Sequence, residues 1–193
     1  IIRGDGYEAL KAYVVLKSTN LSSLVVPVTA SKTIEQIANK FGVDFIRTKT
    51  SQKDIFETYL KKEQHLTRRE IARSYLIGLD SVSILMFVLN IMANSNLKLS
   101  DIVQEFPKYY KRKQEILCPW NMKGKVMRNI IEQNLSKSME IIEGVRIDYN
   151  DAWALILPDE DKPLCKVYTE SNNENKLDEL SKELAKKIEE FVG

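Results

Sequence analysis

The sequence predicts an α/β domain of three layers, a mixed sheet with helices on both faces, followed by a small α+β domain with an antiparallel sheet. Three observations carry this prediction. "LVVPV" and "DFIRTK" are strand-like and flank the helical stretch "ASKTIEQIANKFGV"; the composition turns basic and Pro-containing at "KRKQEILCPW"; beyond that point, strands with alternating faces precede one long amphipathic helix.

Residues Tyr7 to Lys17 place apolar side chains at helical spacing and end near the turn-forming "STNLSS", so a helix delivers the chain to a buried strand, Leu24 to Val28. The next helix has Ser31 or Thr33 as its N-cap, an apolar stripe of Ile34, Ile37, Ala38 and Phe41, and Gly42 at its C-terminal stop. A β-α-β order with short connections implies a parallel pair with a right-handed crossover. An amphipathic helix over Lys53 to Lys62, a polar segment through Arg73, a buried apolar helix after Asp80 and a short helix closed off by Pro107 complete the first domain, taken as residues 1–110. In residues 111–193, "GKVMRNIIEQNL" reads as a helix, "MEIIEGVRIDYNDAWALILP" as two strands joined at "NDA", and "LCKVYTES" as a third strand. Lys176 to Val192 repeats Leu177, Leu180, Leu184, Ile188 and Val192, an amphipathic helix that covers one side of the sheet.

Composition excludes several functions. The 193 residues carry 29 Lys+Arg against 27 Asp+Glu, a net charge of +2, and the basic residues are scattered except at Lys108, Lys111, Arg112 and Lys113. That run reads as a solvated linker, since no stacking aromatics or groove-reading helix accompany it, and no nucleic-acid partner is expected. Cys118 and Cys165 have no metal-ligand spacing, which fits a reducing, cytoplasmic setting without a metal site. Val82 to Met92 is too short to cross a bilayer, which needs about 20 apolar residues, so no membrane association is expected. His65, the sole histidine, is near no nucleophile motif, and Gly4 and Gly6 form no dinucleotide fingerprint. No catalytic residue is assigned. The chain begins "IIRGDG" without an initiator Met, as though cut from something longer.

In the second domain Glu143, Gly144, Val145, Arg146, Trp153, Pro158, Pro163, Val167, Tyr168 and Glu170 fall in register with the last domain of the α-D-phosphohexomutases, the phosphoglucomutase and phosphomannomutase superfamily, which this stretch resembles. The first domain is similar to the third domain of that family, through its strand, helix and "TKTSQKDI" stretch and through "LDSVSILMFVLNIMA". The resemblance implies a four-domain enzyme that moves a phosphoryl group between C1 and C6 of a hexose, using a phosphoserine on the first domain and an Asp-rich Mg²⁺ loop on the second. Neither loop is in this sequence: "VTASKT" at Val28 to Thr33 is a chance partial match and "GDGY" falls short of the three carboxylates. No cofactor is therefore expected in this chain, with Mg²⁺ expected only alongside the missing N-terminal domains. The expected partners are a hexose phosphate and either those domains or a partner protein, and the chain alone is expected to be inactive.

The family's sugar-recognition element aligns with "RREIARS", placing Glu70, Ala72, Arg73 and Ser74 on its Glu, Ser, Gly and His; Glu70 and Ser74, with the loop residue Lys49, become candidate substrate contacts, against the simpler reading of a solvated charged segment. In the phosphate loop of the last domain, Leu157 stands for the family's Arg, Asp159 for Ser, Glu160 for Gly or Asn, Asp161 for Thr and Lys162 for Glu, between Pro158 and Pro163. Lys162 and Lys166 are the remaining candidate contacts. A dianion needs forked donors and positive charge, and like charges at ~4 Å cost about 1 kcal/mol in water and about 4 kcal/mol at an effective dielectric near 20. Three carboxylates are therefore expected to abolish phosphate affinity while the frame of the loop persists. Two functions remain open: the C-terminal part of a phosphohexomutase contributing sugar-phosphate recognition, or a non-catalytic relative serving as a binding module.

Overall fold

The computed structural model describes residues 1–193, with every side chain except that of Leu76. The chain divides into two compact units, Ile1–Lys108 and Tyr109–Gly193.

In the first unit, strands β1 (Ser23–Pro27) and β2 (Asp44–Thr48) pair in parallel, with Leu24 opposite Phe45 and Val26 opposite Arg47. Helices α1 (Asp5–Ser18) and α2 (Lys32–Phe41) pack on each other, and α3 (Gln52–Lys62) lies against both strands. The start of α2 is settled chemically. The hydroxyl of Ser31 accepts the Thr33 N–H at 3.1 Å, whereas the Thr33 hydroxyl donates to the Pro107 carbonyl, so Ser31 is the cap. Gly42 ends the helix at φ 67°, a left-handed conformation that a side chain would strain.

Glu63, just past α3, fixes β1 from below. Its side chain is fully buried and accepts from Ser22 N (3.2 Å), Ser22 Oγ (3.0 Å), Ser23 N (2.7 Å) and Ser23 Oγ (2.6 Å). Burial alone would raise its pKa, but these four donors hold it below the ordinary value.

Two expectations for this unit are corrected. The polar segment through Arg73 is a helix, α4 (Arg68–Leu79), started by a capping box: Thr67 N and Oγ1 donate to the Glu70 carboxylate at 2.8 and 2.6 Å, and Glu70 N donates back to Thr67 Oγ1. The apolar helix after Asp80, α5 (Ser81–Ser95), is not a buried helix. It buries Ile84, Val88 and Ile91 against the core and leaves Val82 (67% exposed), Leu85, Met86 and Leu89 outward, because only one face of its 3.6-residue turn meets the rest of the unit. A short helix α6 (Leu99–Gln104) follows.

The second unit is a five-stranded antiparallel sheet of order β3-β7-β6-β5-β4, built from β3 (Tyr110–Leu117), β4 (Met139–Ile141), β5 (Val145–Asp148), β6 (Ala152–Pro158) and β7 (Leu164–Ser171). Helix α8 (Glu174–Val192) lies against β3, β6 and β7, and α7 (Lys123–Gln133) lies against β5 and α8. Ala154, Ile156, Val145, Ile147, Cys165 and Val167 build the core with Ile130, Leu184 and Ile188. On the other face of β6 the buried Trp153 donates from Nε1 to Glu170 at 2.8 Å, and the Arg146 guanidinium sits 3.6 Å over its ring.

Here too the sequence reading needs correction. The basic run expected to be a solvated linker is the edge strand β3, pairing with β7 from Tyr110–Ser171 to Leu117–Leu164. Lysine and arginine on an edge strand discourage pairing with other chains, and Arg112 is neutralised by Asp178 at 2.5 Å. "MEIIEGVRID" is a hairpin of two strands, not one, turning at residues 142–144. Gly144 is required at that turn because a Cβ there would lie 2.3 Å from the Ile156 carbonyl oxygen. Among the described residues no single helix is long and apolar enough to cross a membrane.

Candidate functional site

The loop from Pro158 to Pro163 joins two central strands of the second sheet, and its shape follows from hydrogen bonds at both ends. Asp159 N donates to Leu164 O at 3.0 Å, Leu164 N to Lys162 O at 2.8 Å, and Cys118 N to Pro163 O at 2.9 Å. Lys123, at the start of α7, donates from Nζ to the Asp159 carbonyl and, at 2.7 Å, to the Lys162 carbonyl, while lying 3.5 Å from the centroid of the exposed Trp120 ring. An ammonium thus takes up the loop's outward carbonyls.

The three acidic residues expected together to abolish phosphate affinity do different things. Asp159 is only 8% exposed and turns inward. Its Oδ1 accepts the N–H groups of Asp161 (2.9 Å) and Lys162 (2.8 Å), and its Oδ2 pairs with Lys166 Nζ at 2.6 Å. The hydrogen bond from Lys166, followed by that from the Asp161 N–H, pulls the Asp159 carboxyl down to about 2, and the same contact raises Lys166. Glu160 and Asp161 are exposed. Leu157 is buried and Pro158 half-buried in β6, where Pro158 pairs with Cys165 across the ladder. Lys162 contributes its N–H and carbonyl to the turn, and Lys166 also stands opposite Glu115 on β3.

The donors that a phosphate would need are therefore present as two backbone N–H groups and one ammonium, all engaged by the chain's own carboxylate. Because Asp159 is held this way, the acidic triplet does not offer three carboxylates to a cation. Among the described residues no three His, Cys, Asp or Glu side chains converge as a hard-cation site would need.

The candidates of the first unit occupy ordinary structural positions. Glu70 caps α4, and hydrogen bonds from Thr67 lower its pKa. The sequence signal for this was the Thr67-x-x-Glu70 spacing itself. Ser74 donates back to the Glu70 carbonyl at 2.8 Å and is buried. Lys49 is exposed immediately past β2, at the carboxyl end of the parallel pair, where open α/β sheets receive ligands. His65 Nε2 lies 3.5 Å from Glu63, but the Ser22 and Ser23 hydroxyls donate to that carboxylate and not to the imidazole, so no serine there is activated by a base. Lys123 was not foreseen; it meets Asp159 only through the fold.

Comparison with known proteins places these units. The family description "Phosphoglucomutase/phosphomannomutase, alpha/beta/alpha domain III" matches residues 3–110. A phosphoglucosamine mutase of Methanococcus maripaludis is 30% identical over 186 residues, covering 87% of this chain and 39% of the relative. A phosphoglucomutase/phosphomannomutase of Thermococcus kodakarensis is 26% identical over 197 residues, covering 99% and 43%. Among solved structures, Aspergillus fumigatus N-acetylphosphoglucosamine mutase, in complex with GlcNAc-6P and magnesium, superposes with a TM-score of 0.64 at 13% identity over 100% of this chain and 44% of its own. A phosphoglucomutase/phosphomannomutase family protein of Burkholderia thailandensis superposes with a TM-score of 0.65 at 13% identity, covering 99% and 42%. The chain spans about two fifths of the length of the curated relatives it matches.

Proposed function

The chain belongs to the phosphoglucomutase/phosphomannomutase family, and from that premise we propose that it is the C-terminal half of a phosphohexomutase-type protein. In this reading it contributes hexose-phosphate recognition to an intramolecular phosphoryl transfer, in a cytoplasmic protein whose phosphoserine and Mg²⁺ reside in domains that this chain does not span. One observation carries the reading: the family match over residues 3–110 lies inside alignments that run over most of this chain but only about two fifths of the relatives. Lys49, exposed at the carboxyl end of the β1–β2 pair, is the basic contact of the first unit in this scheme, and Glu70 is engaged as a cap.

A second reading, a non-catalytic binding module, is favoured by the loop between β6 and β7, where the N–H groups of Asp161 and Lys162 and the ammonium of Lys166 converge on the protein's own Asp159. The test is the coding sequence upstream of Ile1. A phosphoserine loop followed by an Asp-rich metal loop supports the first reading; an upstream region without them overturns it in favour of the second.

A further inference from the structure

We infer that the loop between β6 and β7 is a self-occupied oxyanion site, in which the Asp159 carboxylate takes the place of a phosphate-class anion and by itself keeps such anions out. The two oxygens of one carboxylate use three donors, the N–H groups of Asp161 and Lys162 on Oδ1 and Lys166 Nζ on Oδ2. Two adjacent backbone N–H groups with an ammonium make a concave patch of positive potential that suits a tetrahedral oxyanion as well as a planar carboxylate. Asp159 has the advantage of attachment, because its effective concentration at these donors exceeds any free anion at ordinary concentrations. Its charge also repels a second anion at that distance.

The cradle does not depend on the carboxylate for its shape. Lys123 holds the carbonyls of Asp159 and Lys162, Cys118 N holds Pro163 O, and the β6–β7 ladder runs to Pro158–Cys165, next to the loop. Removing the Asp159 side chain therefore leaves three positioned donors with nothing to accept from them. Glu160 and Asp161 remain exposed, where solvent and salt screen them. The inference rests on reading this loop as an anion-holding element, and not on any phosphoryl transfer.

Inorganic phosphate titrated into the whole chain, followed by ¹H–¹⁵N NMR at the Asp161 and Lys162 amides, tests it. The wild type shows no saturable shift at those amides. Asp159→Gly and Asp159→Ser show saturable shifts there, with apparent affinity raised about tenfold or more above the wild-type limit, and Lys166→Met added to Asp159→Ser removes the gain. Saturable binding by the wild type at these amides overturns the inference, as does failure of both single variants to bind with the remaining spectrum native. Because the readout is phosphate at this loop, its failure is separate from failure of the mutase reading, which is decided upstream of Ile1.

Discussion

Replacing Glu63 by Ala should strongly destabilise the first unit. The carboxylate accepts from four donors, of which Ser23 N and Ser23 Oγ are buried. A buried donor left without its acceptor costs roughly 1–3 kcal/mol, so these two place the loss near 4 kcal/mol; the Ser22 donors, partly open to water, contribute less. Against a typical stability of about 5–15 kcal/mol, that corresponds to a fall in melting temperature of about 15 °C for a unit of this size. Hydrogen exchange at the Val25 and Ile46 amides, read alongside urea unfolding, localises the loss to the β1–β2 pair. Glu63→Gln keeps the shape and one acceptor and should lose about half as much. The pH dependence has a definite sign. The folded pKa is depressed, so the contribution of Glu63 is complete above its unfolded value of about 4.3 and drains away as pH falls below it. The slope should be shallower in Glu63→Gln. A loss under about 1 kcal/mol in Glu63→Ala would refute the idea that this carboxylate anchors β1.

Two further outcomes are expected in the second unit. Gly144→Ala puts a Cβ 2.3 Å from a backbone oxygen that cannot swing away, so urea unfolding should show a loss of about 2 kcal/mol or more; a neutral effect would mean that the β4–β5 hairpin is placed differently. Both thiols are buried, and burial, followed by the hydrogen bond that the Cys165 thiol makes to Cys118, pushes Cys165 up to about 12. Iodoacetamide at pH 8 should therefore label neither cysteine in the folded chain and both in urea, whereas rapid labelling of the folded chain would contradict the packing of β7 against the segment after β3. The raised thiol also gives this unit stability that is present below the unfolded cysteine pKa, about 8.5, and declines as pH rises above it.

Where local chemistry and periodicity agreed, the fold could be read from the sequence. Ser31, the stripe from Ile34 to Ala38 and Gly42 define α2 without reference to anything distant. β6 and β7 are legible because both are rich in apolar residues and bounded by the Pro158–Pro163 loop. β3 is not, because an edge strand with one neighbour buries little: only Ile116 is buried in "YKRKQEIL", and Lys111 to Lys113 therefore mimic a solvated linker. The loop chemistry was half legible. Counting three carboxylates located the element, but Asp159, Glu160 and Asp161 differ by position in the turn: Lys123 holds the loop's carbonyls, and Lys166 pairs with the Asp159 side chain alone. Contacts of that kind, between residues 36 apart in the case of Lys123 and Asp159, leave no periodic trace in a sequence.

The central proposal is that this chain carries the recognition half of a phosphohexomutase-type protein and depends for the chemistry on domains that it does not span. It is tested most directly by assaying purified 1–193, with Mg²⁺, for interconversion of glucose 1-phosphate and glucose 6-phosphate and of the corresponding mannose and glucosamine phosphates. The account predicts no turnover above the uncatalysed background; saturable turnover that follows the concentration of this chain would contradict it.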